Sequence, residues 1–455
     1  MEVTSSKKEI WTMGSYSLLT LSIMVGFMYL NTFGTEVLLI PATTLASALL
    51  VAKVCDFIVS LFAGMIIEKV KISNKGKNQS WLYVGRWILA VSIMLEVCNT
   101  TMAPIAVRVA VLSVSYTVLN CLMNVIQTAY YGVLAAVAGP NPANRNAMTV
   151  NMTRQMTVVT LICSSIPTLV TVLPFGSWNY FIVSFVFMLP MPWAMGRIAR
   201  AADGKDAPVD KNATGASQVS VGDMINTMFK NPQLMVLFLA QTVLFVGQYI
   251  YQANYTYYFI YVVGDFTKLS IASFCSAIVG LIAAMIMPKV GAKMGKKRSC
   301  VFGFTTFAIG LAAISVLGEI SWYYYIICMA VTSFGIYTYS PYIVTMYLDC
   351  GEYYLWKTGK DTRAVAAGLA SPPMKIGMAL GGSIGLYLLG ATGYVAGFTP
   401  TAAWVSEFMD VTFLIPACVY LAAAIILGFG YKIKDADAAR YAQENHERAM
   451  KAAQK

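Results

Sequence analysis

Residues 349–395 read DCGEYYLWKTGKDTRAVAAGLASPPMKIGMALGGSIGLYLLGATGYV, and this stretch decides the fold class. It places a lysine, Lys375, near the middle of a glycine-rich apolar segment that is long enough to cross a membrane. A cation at bilayer depth is costly, so it requires a partner, a water-filled cavity or a function. The stretch therefore indicates a polar pathway through a membrane protein, and a solute carrier is the first hypothesis.

The composition of the 455-residue chain is also that of a membrane protein, since 58% of its residues are hydrophobic and 12% are charged. Twelve apolar runs follow one another, each long enough to cross the hydrocarbon core. Their limits are 11–33, 42–67, 81–101, 105–137, 153–174, 178–199, 232–263, 269–288, 299–318, 322–347, 363–391 and 405–431. We expect an all-α polytopic membrane protein with twelve transmembrane helices.

The net charge of +11 is a topology signal. Lysine and arginine are concentrated in the loops at residues 69–77, 197–211 and 289–298. Neither residue type occurs in the loops at 34–41, 173–178 and 392–404. Because positively charged loops stay on the cytoplasmic side, this asymmetry predicts a multi-pass protein of the inner cell membrane with both termini in the cytoplasm. The basic excess does not indicate a nucleic-acid partner.

The longest polar stretch, 201–231, divides the runs into two sets of six and is expected to be a cytoplasmic linker. We therefore predict an N-terminal half at 1–200, a C-terminal half at 232–431 and a cytoplasmic tail at 432–455. The segment IIEKVKISNKGKNQSWLYVGRW after the second run weakly resembles MPKVGAKMGKKRSCVFGF after the eighth. Such parallel repeats are typical of secondary transporters whose solute site lies between the halves, near the midplane.

Enzyme chemistry has little support in the sequence. The nine cysteines are scattered without a CxxC motif, and the only histidine, His446, lies in the polar tail. No acidic metal-binding cluster and no nucleophile with a base is evident. We expect no metal site, no cofactor and no enzymatic activity.

Lys53 and Asp56 in the second run are three residues apart and share one helix face, with Ser60 one turn further. They could form a self-neutralising pair that helps helices pack. Alternatively, they form a cation site in which the carboxylate is a ligand or a proton carrier. The second interpretation gives a cation-coupling set of Lys53, Asp56, Ser60 and Asn124.

Other polar residues at membrane depth are candidates for solute contact. Amides and a phenol share one face of the fourth run, and the seventh run is rich in amides and tyrosines. Interhelical hydrogen bonds or an interfacial aromatic belt would also explain them, and an arginine at the start of the fifth run could extend to the interface instead. The candidate solute contacts are Thr20, Gln127, Tyr131, Arg154, Gln252, Tyr255 and Lys375.

A third set of charges lies at the end of the tenth run. Asp349 and Glu352 close that run, and Lys357 follows them. At a membrane interface such residues form a charge lock between halves more often than a binding site. We therefore predict a cytoplasmic charge lock made of Asp349, Glu352 and Lys357.

Five segments resemble motifs of one transporter family, in that family's order. They are FMYLNTFGTEV at 27–37, LLVAKVCDFIVSLFAGMIIEKV at 49–70, TAYYGVLAAVAGPNPANRNAMT at 128–149, YYFIYVVGD at 257–265 and DCGEYYLWKTG at 349–359. The chain thus resembles the glycoside–pentoside–hexuronide:cation symporters, the melibiose-permease type within the major facilitator superfamily. The resemblance implies solute–cation symport by alternating access, with sugars or glycosides as the usual cargo.

The resemblance also implies roles for individual residues. By motif, Asp56 matches the first acidic residue of the family's cation site in helix two, and Lys53 matches its arginine. Tyr131 matches the aromatic residue that stacks on the sugar. Lys375 matches the lysine of helix eleven near the site, and Arg154 matches an arginine of helix five.

Three departures from the family pattern change the expected chemistry. Where the family has carboxylates, this chain has Thr20, Ser60 and Gln127. A multi-carboxylate sodium cage is therefore disfavoured, and the coupling ion is left open between H⁺ and Na⁺. Lys375 and Arg154 then lack anionic partners, which an anionic solute such as a uronide or another carboxylated or sulfonated solute would supply. A neutral Lys375 amine is the alternative.

We therefore expect a secondary active transporter that imports a glycoside, a uronide or a similar small polar solute by cation-coupled symport. The alternative is an uncoupled or proton-linked facilitator or exporter of an amphipathic organic anion. The expected partners are the solute, the coupling cation and the lipid bilayer, and the expected state is a monomer.

Overall fold

The computed structural model describes residues 3–206 and 221–453, so residues 207–220 of the predicted linker lie outside the described part. Within it, every regular element is helical. In the first half the α-helices are α1 Lys7–Gly14, α2 Ser17–Thr32, α3 Ala42–Lys69, α4 Lys77–Glu96, α5 Ile105–Ala138, α6 Pro142–Cys163, α7 Ile166–Val172, α8 Asn179–Met188 and α9 Pro190–Ala201. After them come α10 Val221–Lys230, α11 Pro232–Tyr257, α12 Lys268–Met294, α13 Lys296–Leu317, α14 Trp322–Tyr339, α15 Ile343–Thr358, α16 Arg363–Gly368, α17 Pro372–Ala391, α18 Ala402–Met409, α19 Ile415–Gly430 and α20 Asp435–Ala453.

The predicted all-α membrane fold is confirmed. In the described residues, eleven helical segments are long enough and apolar enough to cross a membrane. The remaining predicted span, 81–101, corresponds to α4, which has suitable length but begins with Lys77 and ends with Glu96. These charges, together with Arg86, make α4 less apolar than the other spans.

Several spans consist of two shorter helices, and proline marks the junctions. Proline occupies one of the first two positions of α7, α9, α17 and α19. It fits there because the first backbone N–H groups of a helix have no partner within that helix. The eleventh span is therefore interrupted between Gly368 and Pro372, where two prolines, Pro372 and Pro373, follow each other. Lys375 consequently lies in the first turn of α17 and not near the middle of one long helix.

The chain forms two compact units. The N-terminal unit comprises Met1–Ala216, Gly264–Phe274 and Gly393–Thr399. The C-terminal unit comprises Ser217–Val263, Cys275–Thr392 and Pro400–Lys455. Two segments from the second half of the sequence thus belong to the N-terminal unit.

Specific hydrogen bonds hold these two segments in the N-terminal unit. The Thr168 backbone N–H donates to Ser270 Oγ at 3.0 Å. The Tyr394 hydroxyl donates to the Glu36 carboxylate and lies 3.3 Å from Thr35 Oγ1. Glu36 belongs to a π-helical turn, Phe33–Val37, that ends the first span.

Within the C-terminal unit, the glycines of the eleventh span allow α17 to pack closely on α11. A Cβ atom on Gly377 would come within 2.3 Å of the Phe245 Cβ, and one on Gly381 within 2.4 Å of the Val246 carbonyl oxygen. Only glycine permits this approach. The Asn254 Nδ2 atom then donates across the interface to the Gly385 carbonyl at 2.9 Å.

The tail forms the helix α20, which packs on α15 of the same unit. The Trp356 indole N–H donates to Glu444 at 2.6 Å. Asn445 donates to the Glu352 carboxylate at 2.7 Å. The tail is therefore docked by specific polar contacts.

Candidate functional site

The predicted cation-coupling residues Lys53 and Asp56 lie on the buried side of α3, only 7% and 5% exposed. Their hydrogen-bond partners come from α5. Lys53 Nζ donates to Asn120 Oδ1 at 2.9 Å. Asn124 Nδ2 donates to Asp56 Oδ1 at 2.5 Å. The neighbouring helix thus satisfies both charged groups.

Lys53 has two further interactions that stabilise its positive charge. Its ammonium lies 4.6 Å from the centre of the Tyr116 ring, within range of a cation–π interaction. It is also attracted by the carboxylates of Asp56 and Glu96. A buried cation is tolerated only with such compensation, and here α3, α4 and α5 each contribute to it.

Glu96 is a further buried charged residue, and its position in the sequence did not indicate a functional site. It is the last residue of α4 and is only 1% exposed. The one indication in the sequence is that Glu96 is the only acidic residue of the apolar run 81–101. An acidic residue near the end of such a run usually marks the start of a loop. We call Lys53, Asp56 and Glu96 the buried charge cluster of the N-terminal unit.

Of the other predicted coupling residues, the structure brings Asn124 to Asp56 through the hydrogen bond already described. Ser60 is half-buried, and its hydroxyl donates to the Phe57 carbonyl of its own helix at 2.7 Å. The Ser60 oxygen therefore retains acceptor capacity while its proton is engaged.

On α5, two of the predicted solute contacts, Gln127 and Tyr131, have exposed side chains. Gln127 is exposed, and the side chain of Tyr131 is 49% exposed. Tyr131 packs against Tyr130, with the ring centres 5.4 Å apart, and Tyr130 stacks on Tyr16 at 3.8 Å. Tyr131 therefore presents a ring that is supported on one side and accessible on the other. Thr20, one helical turn beyond Tyr16, is half-buried.

Arg154 is exposed on α6. It lines a cavity of about 470 Å³ together with Val3, Ile10, Asn146 and Asn151. These residues all belong to the N-terminal unit. The guanidinium therefore faces a partly polar space within its own unit.

The predicted solute contacts on α11 differ in their environment. Gln252 is half-buried. Tyr255 is buried and packs on Tyr251, with ring centres 5.5 Å apart. Tyr251 in turn shares a 2.6 Å hydrogen bond between hydroxyls with Tyr325. Many tyrosines of this span thus belong to an aromatic core of the C-terminal unit, which accounts for the aromatic density of the sequence.

Lys375 is half-buried in the first turn of α17. The positive end of a helix dipole lies at this N-terminus, so the location disfavours a cation and favours an anion. Placing a lysine there concentrates positive potential in the C-terminal unit.

The residues of the predicted charge lock have their described partners inside the C-terminal unit. Asp349 pairs with Lys296 at 2.5 Å, and Glu352 pairs with Arg363 at 3.2 Å. Lys357 Nζ lies 3.4 Å from the Tyr353 hydroxyl.

Arg363 also pairs with Asp361 in the loop before α16, at 2.6 Å. Its hydrogen bonds lower the pKa of the Asp361 carboxyl group. This loop therefore carries a small ionic network in which one guanidinium serves two carboxylates.

Comparison with known proteins identifies the family to which the chain is similar. The model of the family described as MFS/sugar transport protein matches residues 12–435. A provisionally named sulfoquinovose importer of Escherichia coli (strain K12) is 25% identical over 440 residues, covering 95% of this chain and 91% of the relative.

Two further relatives have similar identity. A glucuronide carrier protein homolog of Escherichia coli (strain K12) is 22% identical over 423 residues, covering 90% of this chain and 89% of the relative. A raffinose carrier protein of Pediococcus pentosaceus is 22% identical over 394 residues, covering 82% of this chain and 60% of the relative.

Proposed function

The chain belongs to the MFS/sugar transport protein family, and from this premise we propose that it imports an anionic sugar derivative, such as a uronide or a sulfonated sugar, together with a cation. Membership of this family makes it a membrane transporter and not an enzyme. In the proposed cycle the two halves give alternating access to a site near the midplane. Both termini lie in the cytoplasm, the membrane is the inner cell membrane, and the protein acts as a monomer.

The observation that carries the proposal is the balance of charge among the candidate solute contacts. Thr20, Gln127, Tyr131, Gln252 and Tyr255 are neutral, whereas Arg154 and Lys375 are cationic. Thr20 and Gln127 stand where the resembled family has carboxylates. Two cations and no carboxylate among these contacts would attract an anionic solute, and the helix N-terminus beside Lys375 favours the same sign.

The names of the relatives support an acidic sugar without excluding a neutral one. Two are named for sulfoquinovose and glucuronide, sugars with an acidic group, and one for the neutral sugar raffinose. Because the charge balance of this chain favours the acidic class, we propose that class.

Each candidate residue has a role in the proposal. The exposed ring of Tyr131 stacks on the sugar, while the hydroxyl and amide groups of Thr20, Gln127 and Gln252 hydrogen-bond to its hydroxyls. Lys375 and Arg154 attract the acidic group. The residues of the cation-coupling set are Lys53, Asp56, Ser60 and Asn124. The charge lock of Asp349, Glu352 and Lys357 stabilises the cytoplasmic end.

A matched pair of solutes tests the proposal in proteoliposomes that contain the full chain. We expect counterflow of phenyl β-glucuronide to exceed that of phenyl β-glucoside by about tenfold, the effect of about 1.4 kcal/mol of differential binding. Lys375→Ala should remove this preference. Lys360→Ala, which removes an exposed lysine of the loop after α15, should retain it.

Equal transport of the two solutes by the wild type and by Lys375→Ala would refute an anionic cargo. Transport that persists in Asp56→Asn without any ion gradient would instead favour an uncoupled facilitator or exporter of an organic anion.

A further inference from the structure

Glu96 has an environment that a purely structural carboxylate rarely has. Its side chain is almost completely buried, yet its Oε1 atom has no hydrogen-bond partner in the part of the chain that the structure describes. An ionised carboxylate is expensive to bury without hydrogen bonds or a close cation. The Oε1 atom can therefore accept a further partner, such as a proton.

The backbone opposite Glu96 is shaped to admit its carboxyl group. A Cβ atom on Gly26 of α2 would lie 2.5 Å from Glu96 Oε2 and 2.7 Å from Oε1. Any residue other than glycine would force the carboxyl group to move. The position of Glu96 against α2 thus depends on a specific glycine.

The charges around Glu96 can be counted from the helices that pack on α4, which are α2, α3, α5, α8 and α9. The titratable and charged residues on those helices are Tyr29, Lys53, Cys55, Asp56, Glu68, Lys69, Arg108, Tyr116, Cys121, Tyr130, Tyr131, Tyr180, Arg197 and Arg200. Cys98 lies in the loop that follows α4. Lys53 attracts the Glu96 carboxylate. Arg108 donates instead to backbone carbonyls, including that of Ala103.

The buried charge cluster contains two carboxyl groups and one amine. With Lys53, Asp56 and Glu96 all ionised, one positive and two negative groups leave a net charge of minus one. A single proton on one carboxyl group makes the cluster neutral. Asp56 accepts a hydrogen bond from Asn124, whereas Glu96 Oε1 accepts none within the part of the chain that the structure describes. Glu96 Oε1 is thus a buried carboxyl oxygen at which a proton can bind without breaking a described hydrogen bond.

We propose that Glu96 is the proton-binding residue of the transport cycle, with Lys53 as its counter-charge. The inference rests on the proposed function and names its coupling ion. In each cycle one proton from water forms an O–H bond with a Glu96 oxygen on one side of the membrane, and the same bond breaks on the other side. A monoanionic solute and this proton together move no net charge across the membrane.

Proton binding can be measured without any solute. Infrared difference spectra of the purified full chain, recorded against pH, should contain a pH-dependent carbonyl-stretch band of a protonated carboxyl group. Glu96→Gln should lose this band. Glu68→Gln, which changes an accessible glutamate paired with Lys77, should keep it. A band that is unchanged in folded Glu96→Gln would overturn the proposal.

Glu96→Asp keeps the test decisive if the glutamine variant does not fold. Aspartate retains the carboxyl group but shortens its reach, so the band should persist with a shifted pH midpoint. The same midpoint as in the wild type would show that the titrating group lies elsewhere, and this would also overturn the proposal.

Transport separates this inference from the function on which it rests. With one-to-one coupling, an inward gradient of one pH unit should accumulate phenyl β-glucuronide about tenfold. Glu96→Gln should lose this accumulation while retaining counterflow. An absence of counterflow in the wild type would refute the proposed function. Counterflow together with pH-driven accumulation in Glu96→Gln would refute only the role of Glu96.

Discussion

The two units stabilise their interiors in different ways. The N-terminal unit buries Lys53, Asp56 and Glu96 among its helices. The described ion pairs of the C-terminal unit instead involve helix starts, such as Lys296 of α13 and Arg363 of α16, or lie within the tail helix α20. Its interior relies on glycine contacts and tyrosine rings. From this difference we propose that the ion-dependent chemistry belongs to the N-terminal unit, whereas close packing characterises the C-terminal unit.

The largest expected effect comes from removing the cation of the buried charge cluster. Lys53→Ala leaves Asp56 and Glu96 buried without their ammonium, which should destabilise the protein by about 3–5 kcal/mol. The midpoint of thermal unfolding in detergent measures this loss.

Lys205→Ala is the matched control for that experiment. It breaks an ion pair with Glu9 whose side chains are 42% and 30% exposed, so its effect should stay below about 1 kcal/mol. If both lysine variants unfold at the same temperature, the N-terminal unit does not depend on buried charge.

The second prediction concerns the packing of the C-terminal unit. Gly381→Ala would place a methyl group 2.4 Å from the Val246 carbonyl oxygen, and the resulting backbone shift should destabilise the protein by about 1–3 kcal/mol. Gly382→Ala is the control, because a Cβ atom there meets open space and alanine is the better helix former. Unfolding curves for the two variants should differ clearly. Coincident curves would mean that α11 and α17 are not closely packed.

The third prediction sharpens the comparison within the N-terminal unit. Gly26→Ala pushes against the end of the Glu96 side chain, which can move, so the loss of stability should be about 1 kcal/mol, at the lower end for an overpacked site. The infrared pH midpoint should shift, since the carboxyl group is displaced. Combining Gly26→Ala with the shorter Glu96→Asp should restore stability. An unchanged midpoint in Gly26→Ala would separate this glycine from proton binding.

The smallest expected effect lies in the aromatic core of the C-terminal unit. Tyr251→Phe loses the hydroxyl bond to Tyr325 and should destabilise the protein by about 0.5–1.5 kcal/mol. The pH dependence of transport should not change, because these hydroxyls lie outside the buried charge cluster. Tyr323→Phe, at a side chain that is 62% exposed, is the control. A shift in the pH profile of Tyr251→Phe would contradict the division between the units.

Much of the fold was predictable because bilayer crossing imposes a simple length and composition on each helix. The interruption before Pro372 was also predictable, since proline cannot continue a helix without loss of a hydrogen bond. The location of Lys375 in the first turn of α17 was not, because it depends on where the preceding helix ends. The docking of α20 on α15 depends on tertiary contacts that a polar tail sequence does not reveal.

The candidate site was predictable only in part. The spacing of Lys53 and Asp56 placed them on one face, and the structure places both in the interior. Their partners on α5 depend on how two helices meet, which spacing within one helix does not determine. Glu96 was missed because an acidic residue at the end of an apolar run usually marks solvent. In the fold its carboxyl group lies against Gly26, a residue that is 70 positions earlier in the chain.

Electrical recording on a supported membrane tests the central claim most directly. A jump in phenyl β-glucuronide concentration should produce no steady current in the wild type, because one proton cancels the charge of one anion. The Glu96→Gln variant should instead give a current of the sign expected for inward movement of a bare anion. A steady current in the wild type that is unchanged in Glu96→Gln would contradict the account.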